Sequence, residues 1–140
     1  MKNLLNQVSR QVIPSFMQRK TSLLPDLFEK IKVTELHVGA PNGVFRTEKW
    51  VYEAILDIPK KGDVTLETGA GASSLCFAKS QSSKHFVLTP DPQDVSQIKE
   101  FAKVNDEDIS KLEFFNQSSV EVLPHFNESL SVALVDGCHG

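Results

Sequence analysis

The sequence predicts an α/β fold: a parallel sheet with flanking helices, preceded by a helical N-terminal segment. Three observations predict it. From Val64 onward, short apolar segments alternate with helix-type segments in the order strand, helix, strand, helix, strand, helix, strand, the pattern of a parallel sheet joined by right-handed crossovers. The last apolar segment, 130–135, reads LSVALV with no polar alternation, as expected of a strand covered on both faces. Between the first strand and the first of these helices lies a glycine pair, Gly69 and Gly71, where such folds turn sharply.

The elements follow in order. Residues 1–13 read as an amphipathic helix, with Leu4, Val8 and Val12 at i, i+4, i+8, ending before Pro14. Lys2, Arg10, Arg19 and Lys20 precede the first acid, Asp26. That charge pattern resembles an organelle transit peptide, but the helical spacing favours a surface helix. Pro25–Ile31 is a short helical candidate with proline in its first turn. Gly39–Gly43 (GAPNG) is a loop by composition. Thr47 can cap a helix to Ile58, with Trp50, Val51, Ala54, Ile55 and Ile58 on one face and Pro59 as its stop.

The regular part begins with strand Val64–Glu67, then helix Ala72–Lys79 with Leu75, Cys76 and Ala78 inward. His85–Thr89 is the second strand. Helix Asp91–Val104 has Asp91 as cap, Pro92 in its first position and Asp94 placed as a capping-box acid. Its apolar face is Val95, Ile98, Phe101, Ala102 and Val104. Leu112–Phe115 is the third strand, Ser118–Leu123 a short helix capped by Ser118 or Ser119, and Leu130–Val135 the fourth strand. The organisation is thus an extension over 1–46 and an α/β domain over 47–140.

Composition narrows the function classes. The chain has 140 residues, 40% hydrophobic and 24% charged, an ordinary balance for one globular domain. A net charge of −3 gives no positive field for nucleic acid. The nine Phe are scattered rather than set among basic residues, which argues against a base-stacking platform. No apolar run reaches the roughly 20 residues that span a bilayer. Cys76 and Cys138 lack CxxC spacing and read as free thiols of a reducing compartment, so a cytoplasmic location is expected. Neither a nucleic-acid partner nor a membrane is expected from these features.

The chemistry concentrates in Val64–Ser74, VTLETGAGASS. Gly69 permits the sharp turn, and Gly71 lets a ligand approach the backbone. The following helix presents free N–H groups and its positive dipole end. Glu67 discriminates between ligands. A carboxylate just before the turn repels a dinucleotide pyrophosphate, whereas a sulfonium cation carrying an amino group welcomes it. Ser74 stands where a nicotinamide fingerprint wants its third glycine, and the phosphate loop GxxxxGK[ST] is absent. An NAD-binding domain is therefore a lesser reading.

These residues resemble motif I of the class I S-adenosylmethionine-dependent methyltransferases, which have a Rossmann-like fold. VTLETGAGASSLCFA matches the motif, and its Ser73-Ser74-Leu75 continuation resembles the small O-methyltransferase-like branch. Phe86–Pro92 resembles the end of strand 2, Leu112–Leu123 strand 3 with its turn, and Val132–His139 strand 4. The resemblance covers about residues 44–140. It implies that Glu67, Gly69, Ala70 and Gly71 line the methionine part of S-adenosylmethionine, with Ser73 and Ser74 donating to its carboxylate. It implies that Asp136 faces the transferred methyl group or helps hold a divalent metal, with His139 as base or metal ligand. The alternative is that Asp136 caps a turn and His139 is a terminal side chain. Further metal ligands are not found in this sequence, so no metal site is assigned.

Two positions depart from the family. Where strand 2 ordinarily ends in an acid that holds the ribose hydroxyls, this chain has Thr89, and the nearest carboxylate is Asp91, which is equally suited to capping its own helix. Near the adenine, Gln117 and Ser118 stand in for an acid. His37, His85 and His125 read as surface or edge histidines, and Trp50 and Tyr52 as packing residues.

The family fold is seven-stranded, and four strands are read here. The sequence is therefore expected to be a truncated product, a fragment, or a domain completed by a partner. A homodimer joined through the apolar edge of the fourth strand is one remedy. The expected activity is methyl transfer to oxygen or nitrogen of a small molecule. The alternative is a catalytically inactive module of the same fold that serves interaction.

Overall fold

In a computed structural model, the described residues are 26, 27, 30 and 49–136. The helix over 1–13, the GAPNG loop, the Thr47 cap, His37, Cys138 and His139 lie outside them. Asp26, Leu27 and Lys30 are helical, consistent with the proline-led segment. The remaining elements are α1 (Lys49–Asp57), β1 (Val64–Thr68), α2 (Ala72–Lys79), β2 (Lys84–Leu88), α3 (Pro92–Asn105), β3 (Leu112–Phe115), α4 (Ser119–Val122), a 3₁₀ turn (Leu123–His125) and β4 (Val132–Val135).

The four strands form a parallel sheet in the order β3-β2-β1-β4. The chain winds outward from β1 through β2 to β3, then returns across β1 to place β4 on its other side. The winding reverses between β1 and β4, and sheets of this kind bind ligands in the crevice at the carboxyl ends of the strands at that point. Thr65 pairs with His85 on one side and Val132 on the other.

Period-two alternation divides the sheet into two faces. On the first, Val87, Leu112, Phe114 and Leu134 pack with Tyr52, Ile55 and Leu56 of α1, Leu75, Cys76 and Phe77 of α2, Ile98 and Phe101 of α3, and Leu27. On the second, Leu66, Phe86 and Leu88 pack under Val122, with Phe115 and Phe126 alongside. The first face carries three helices and the second a short helix with a 3₁₀ turn.

Three expectations are corrected. β4 is not covered on both faces: Val132 and Leu134 are half-buried while Ala133 and Val135 are exposed. No described helix stands over its second face. The α1 face is also rotated from the one expected. Tyr52, Ile55 and Leu56 are buried, whereas Trp50 is 65% exposed and Ile58 is exposed. Trp50 is thus not a packing residue among the described residues. In α3 the buried stripe is Ile98, Phe101 and Ala102, and Val104 faces solvent. α2 is buried along Ala72–Phe77, because it is wedged between sheet and α1.

Candidate functional site

The turn after β1 is held from below. Gly69 has φ of 89°, a left-handed conformation that side chains with a Cβ resist. Its N–H donates to Leu88 O at 2.8 Å, tying the turn to the end of β2. Ala70 and Gly71 are buried, and Gly71 caps α2. The Gly71 N–H donates to Ser74 Oγ at 3.2 Å. The Ser74 hydroxyl in turn donates to Glu67 Oε1, and Ser73 Oγ donates to Glu67 Oε2 at 2.5 Å.

Glu67 is 1% exposed, and a buried carboxylate requires donors. The two hydroxyls on the first turn of α2 supply them. Three residues expected at the methionine end of the ligand meet one another here. Glu67, Ser73 and Ser74 direct their polar atoms at one another beneath the turn. What remains at the head of α2 for an outside ligand is its first-turn backbone N–H groups, which have no acceptor within the helix.

His85 joins this cluster, contrary to the expectation of a surface or edge histidine. It is fully buried. Its ring stacks on Phe77 with centroids 3.9 Å apart and planes 13° from parallel. Nδ1 lies 2.8 Å from Thr65 Oγ1, and Nε2 lies 3.2 Å from Glu67 Oε1. The Nε2 contact is close but poorly aligned for a hydrogen bond. Cys76 packs nearby. Burial, then the charge of Glu67, pushes its thiol up to about 12, so it stays protonated and unreactive at neutral pH.

At the next strand end, Thr89 is buried and its hydroxyl donates to Asp94 Oδ2 at 3.0 Å. Asp94 thus reaches back past Asp91 to the end of β2, which corrects its expected capping-box role. Asp91 is exposed, and its Oδ1 accepts the Gln93 N–H at 2.8 Å as the α3 cap. Asn116 Nδ2 donates to Thr89 O at 3.0 Å, bridging the ends of β2 and β3.

Ser118 caps α4, and both its hydroxyl and its N–H donate to Glu121 Oε2, at 2.9 and 3.0 Å. Gln117 is exposed and lines an open groove of about 570 Å³ on the second face, with Phe86, Phe115 and Phe126. At the end of β4 the Asp136 N–H donates to Thr68 Oγ1 at 3.2 Å, closing the β1–β4 side of the crevice. Burial, then the negative charge of Glu67, pushes the Asp136 carboxyl above the usual carboxylate range. Among the described residues no three His, Cys, Asp or Glu side chains gather as metal ligands. Among them, too, no helix is long and apolar enough to cross a membrane.

The sequence residues thus fall into separate groups. Glu67, Gly71, Ser73 and Ser74 form one bonded unit, Thr89 pairs with Asp94, Ser118 serves its own helix, and Asp136 is tied to Thr68. Thr65, Phe77, His85 and Asp94 were not anticipated. One trace of them exists in the sequence: Thr65 and Glu67 are polar residues two apart in β1, and so share one face of a buried strand.

No family model matches the chain, and no curated protein matches it. Solved structures do. The S-adenosylhomocysteine-bound methyltransferase PaMTH1 of Podospora anserina matches with a TM-score of 0.63 and 14% identity, over 91% of this chain and 61% of that one. Precorrin-8w decarboxylase of Methanobacterium thermoautotrophicum matches with a TM-score of 0.57 and 17% identity, over 76% and 55%. The C-terminal domain of precorrin-6Y C5,15-methyltransferase of Rhodobacter capsulatus matches with a TM-score of 0.53 and 12% identity, over 68% and 52%. The chain thus spans between about half and three-fifths of the length of these structures. With the β3-β2-β1-β4 order and the glycine turn at its switch point, these likenesses establish an α/β Rossmann-like fold, the fold these structures share.

Proposed function

We propose that this chain is the cofactor-binding part of an S-adenosylmethionine-dependent methyltransferase that acts on oxygen or nitrogen of a small molecule. One observation carries the reading. The Gly69–Gly71 turn and the head of α2 stand at the switch point between β1 and β4, with Glu67 beneath and Asp136 beside them. The likeness to PaMTH1, a methyltransferase bound to S-adenosylhomocysteine, supports the same reading.

The residues suit such a ligand. The first-turn N–H groups of α2 fit its carboxylate. The negative potential of Glu67 and Asp136 fits its ammonium and sulfonium charges and opposes a pyrophosphate. The ligand supplies an activated methyl group. The chain's part is to hold that group so that a nucleophile approaches in line, the positioning from which most of the rate in such a transfer derives. Asp136, with its raised carboxyl affinity for protons, is the side chain suited to accept a proton near the acceptor.

Isothermal titration of the full chain with S-adenosylhomocysteine tests the reading. Saturable heat is expected, and it should vanish in Gly71→Val. Absence of heat from folded protein at high ligand concentration removes the proposal.

A second reading, an inactive module of the same fold, is favoured by Thr89. Its hydroxyl is taken by Asp94, and Asp91 is engaged as a cap, so neither is free to grip a ribose as the family's acid would. Measured methyl transfer by this chain would overturn that reading.

A further inference from the structure

We propose that His85 is a positioning residue: its Nε2–H, set against Glu67, holds the carboxylate in the orientation that keeps the Gly69–Ser74 turn formed. The turn is the one assigned to the ligand above, so the effect on binding rests on that reading, while the effect on the turn does not.

Electrostatics fixes the ring's proton. Nε2 lies 3.2 Å from Glu67 Oε1, and both groups are almost wholly buried. A bare nitrogen lone pair facing a carboxylate at that distance is repulsive in a medium of low polarity, whereas an N–H is attractive. Nε2 therefore carries the hydrogen. In the uncharged ring Nδ1 is then an acceptor. Thr65 Oγ1 is 2.8 Å from Nδ1 and 3.3 Å from Lys84 O, so its single hydroxyl hydrogen goes to the ring.

The result is a set of donors converging on Glu67. On one side Thr65 O–H donates to His85 Nδ1, and Nε2–H faces Oε1. On the other, Gly71 N–H donates to Ser74 Oγ, whose hydroxyl donates to the same Oε1, while Ser73 donates to Oε2. Polar groups linked in this sense strengthen one another where the local dielectric is low. The ring is held in place because Phe77 stacks on its face and it is fully buried.

Three measurements decide the proposal. Imidazole ¹⁵N shifts of the wild-type protein should show a hydrogen on Nε2 of His85; a ring with its only hydrogen on Nδ1 overturns the proposal without any variant. Amide exchange of Gly71 should quicken at least tenfold in His85→Leu. It should stay within about threefold of wild type in His85→Gln, whose side-chain NH₂ sits as many bonds from Cα as Nε2. Equal exchange in folded His85→Leu and wild type overturns the proposal, as does a His85→Gln protein that behaves like His85→Leu, because a packing role alone would not be rescued by a donor. S-Adenosylhomocysteine affinity should follow the same order. If the wild type fails to bind that probe while tautomer and exchange come out as expected, the ligand reading falls and the positioning role stands.

Discussion

Ser74 and Glu67 are joined by a hydroxyl that works in both directions, giving its hydrogen to the carboxylate and taking one from Gly71. Ser74→Ala removes both bonds at once. It leaves the Gly71 N–H and one carboxylate oxygen short of a partner in a buried site, for a loss of about 1–3 kcal/mol. Urea denaturation should show this as a lower midpoint at unchanged slope. An unchanged midpoint would mean that the bond does not support the turn.

The positive φ of 89° at Gly69 sets a second expectation. A Cβ there strains the backbone by about 1–2 kcal/mol. Gly69→Ala should lose that much stability and, through a displaced Leu88 contact, most of any affinity for S-adenosylhomocysteine. A variant as stable as wild type would show that the turn tolerates another conformation.

Thr89→Asp asks whether an acid at the end of β2 can coexist with Asp94. The Thr89 hydroxyl sits 3.0 Å from Asp94 Oδ2 in a buried position, so the substitution sets two carboxylates side by side. One of them should bind its proton more tightly. The variant should therefore be less stable than wild type at pH 7 and recover part of the loss at pH 5. Adding Asp94→Asn should restore stability at pH 7. If the single variant is as stable as wild type at both pH values, Asp94 does not hold its carboxylate against Thr89.

Glu107 links the N-terminal helix to the main body. Its carboxylate meets Lys30 at 2.8 Å and also Lys79. Burial alone would push its carboxyl up, but the two ammonium groups outweigh burial and hold it below its ordinary value of 4.5. A carboxyl with a depressed folded-state pKa stabilises above its unfolded value, and that stabilisation is lost as pH falls through the folded one. Glu107→Gln should thus be less stable than wild type near pH 7, by about 1.5–3 kcal/mol. The gap should close as pH drops below about 4.5. A gap that persists in acid would mean that shape, not charge, holds the contact.

Much of the scaffold was legible in the sequence because it depends on local chemistry. Helix Ala72–Lys79 and strand Leu112–Phe115 have the bounds expected, and Asp91 caps α3 as its side chain and Pro92 indicate. The second strand lies one residue earlier than expected, at Lys84–Leu88, a shift that leaves Thr89 at its end. The position of the glycine turn was legible for the same reason.

The orientation of the site's side chains was not. Whether Glu67 looks up at a ligand or down into the sheet depends on what stands across from it, and Thr65 meets His85 only through the β1–β2 register. The α1 face misled in a related way. Trp50 and Tyr52 are both large and both suit a packed helix, and only the partner surface, built from Leu27 and α2, selects Tyr52. Asp94 reads as a capping-box acid in sequence, and its bond to Thr89 is not legible there, because a first-turn acid serves a helix cap and a neighbouring strand end equally well by spacing.

The order of the strands has a consequence for how the crevice comes into being. β1 pairs with β2 across a short crossover, Thr65 with His85, and β2 with β3 likewise, His85 with Leu112. β1 meets β4 across a far longer loop, Thr65 with Val132. Closing a longer loop costs more entropy before any contact repays it. The glycine turn and its buried supports rest on short-range pairings. Asp136, on the far wall, rests on the pairing of longest range, so the wall costs more chain entropy than the floor.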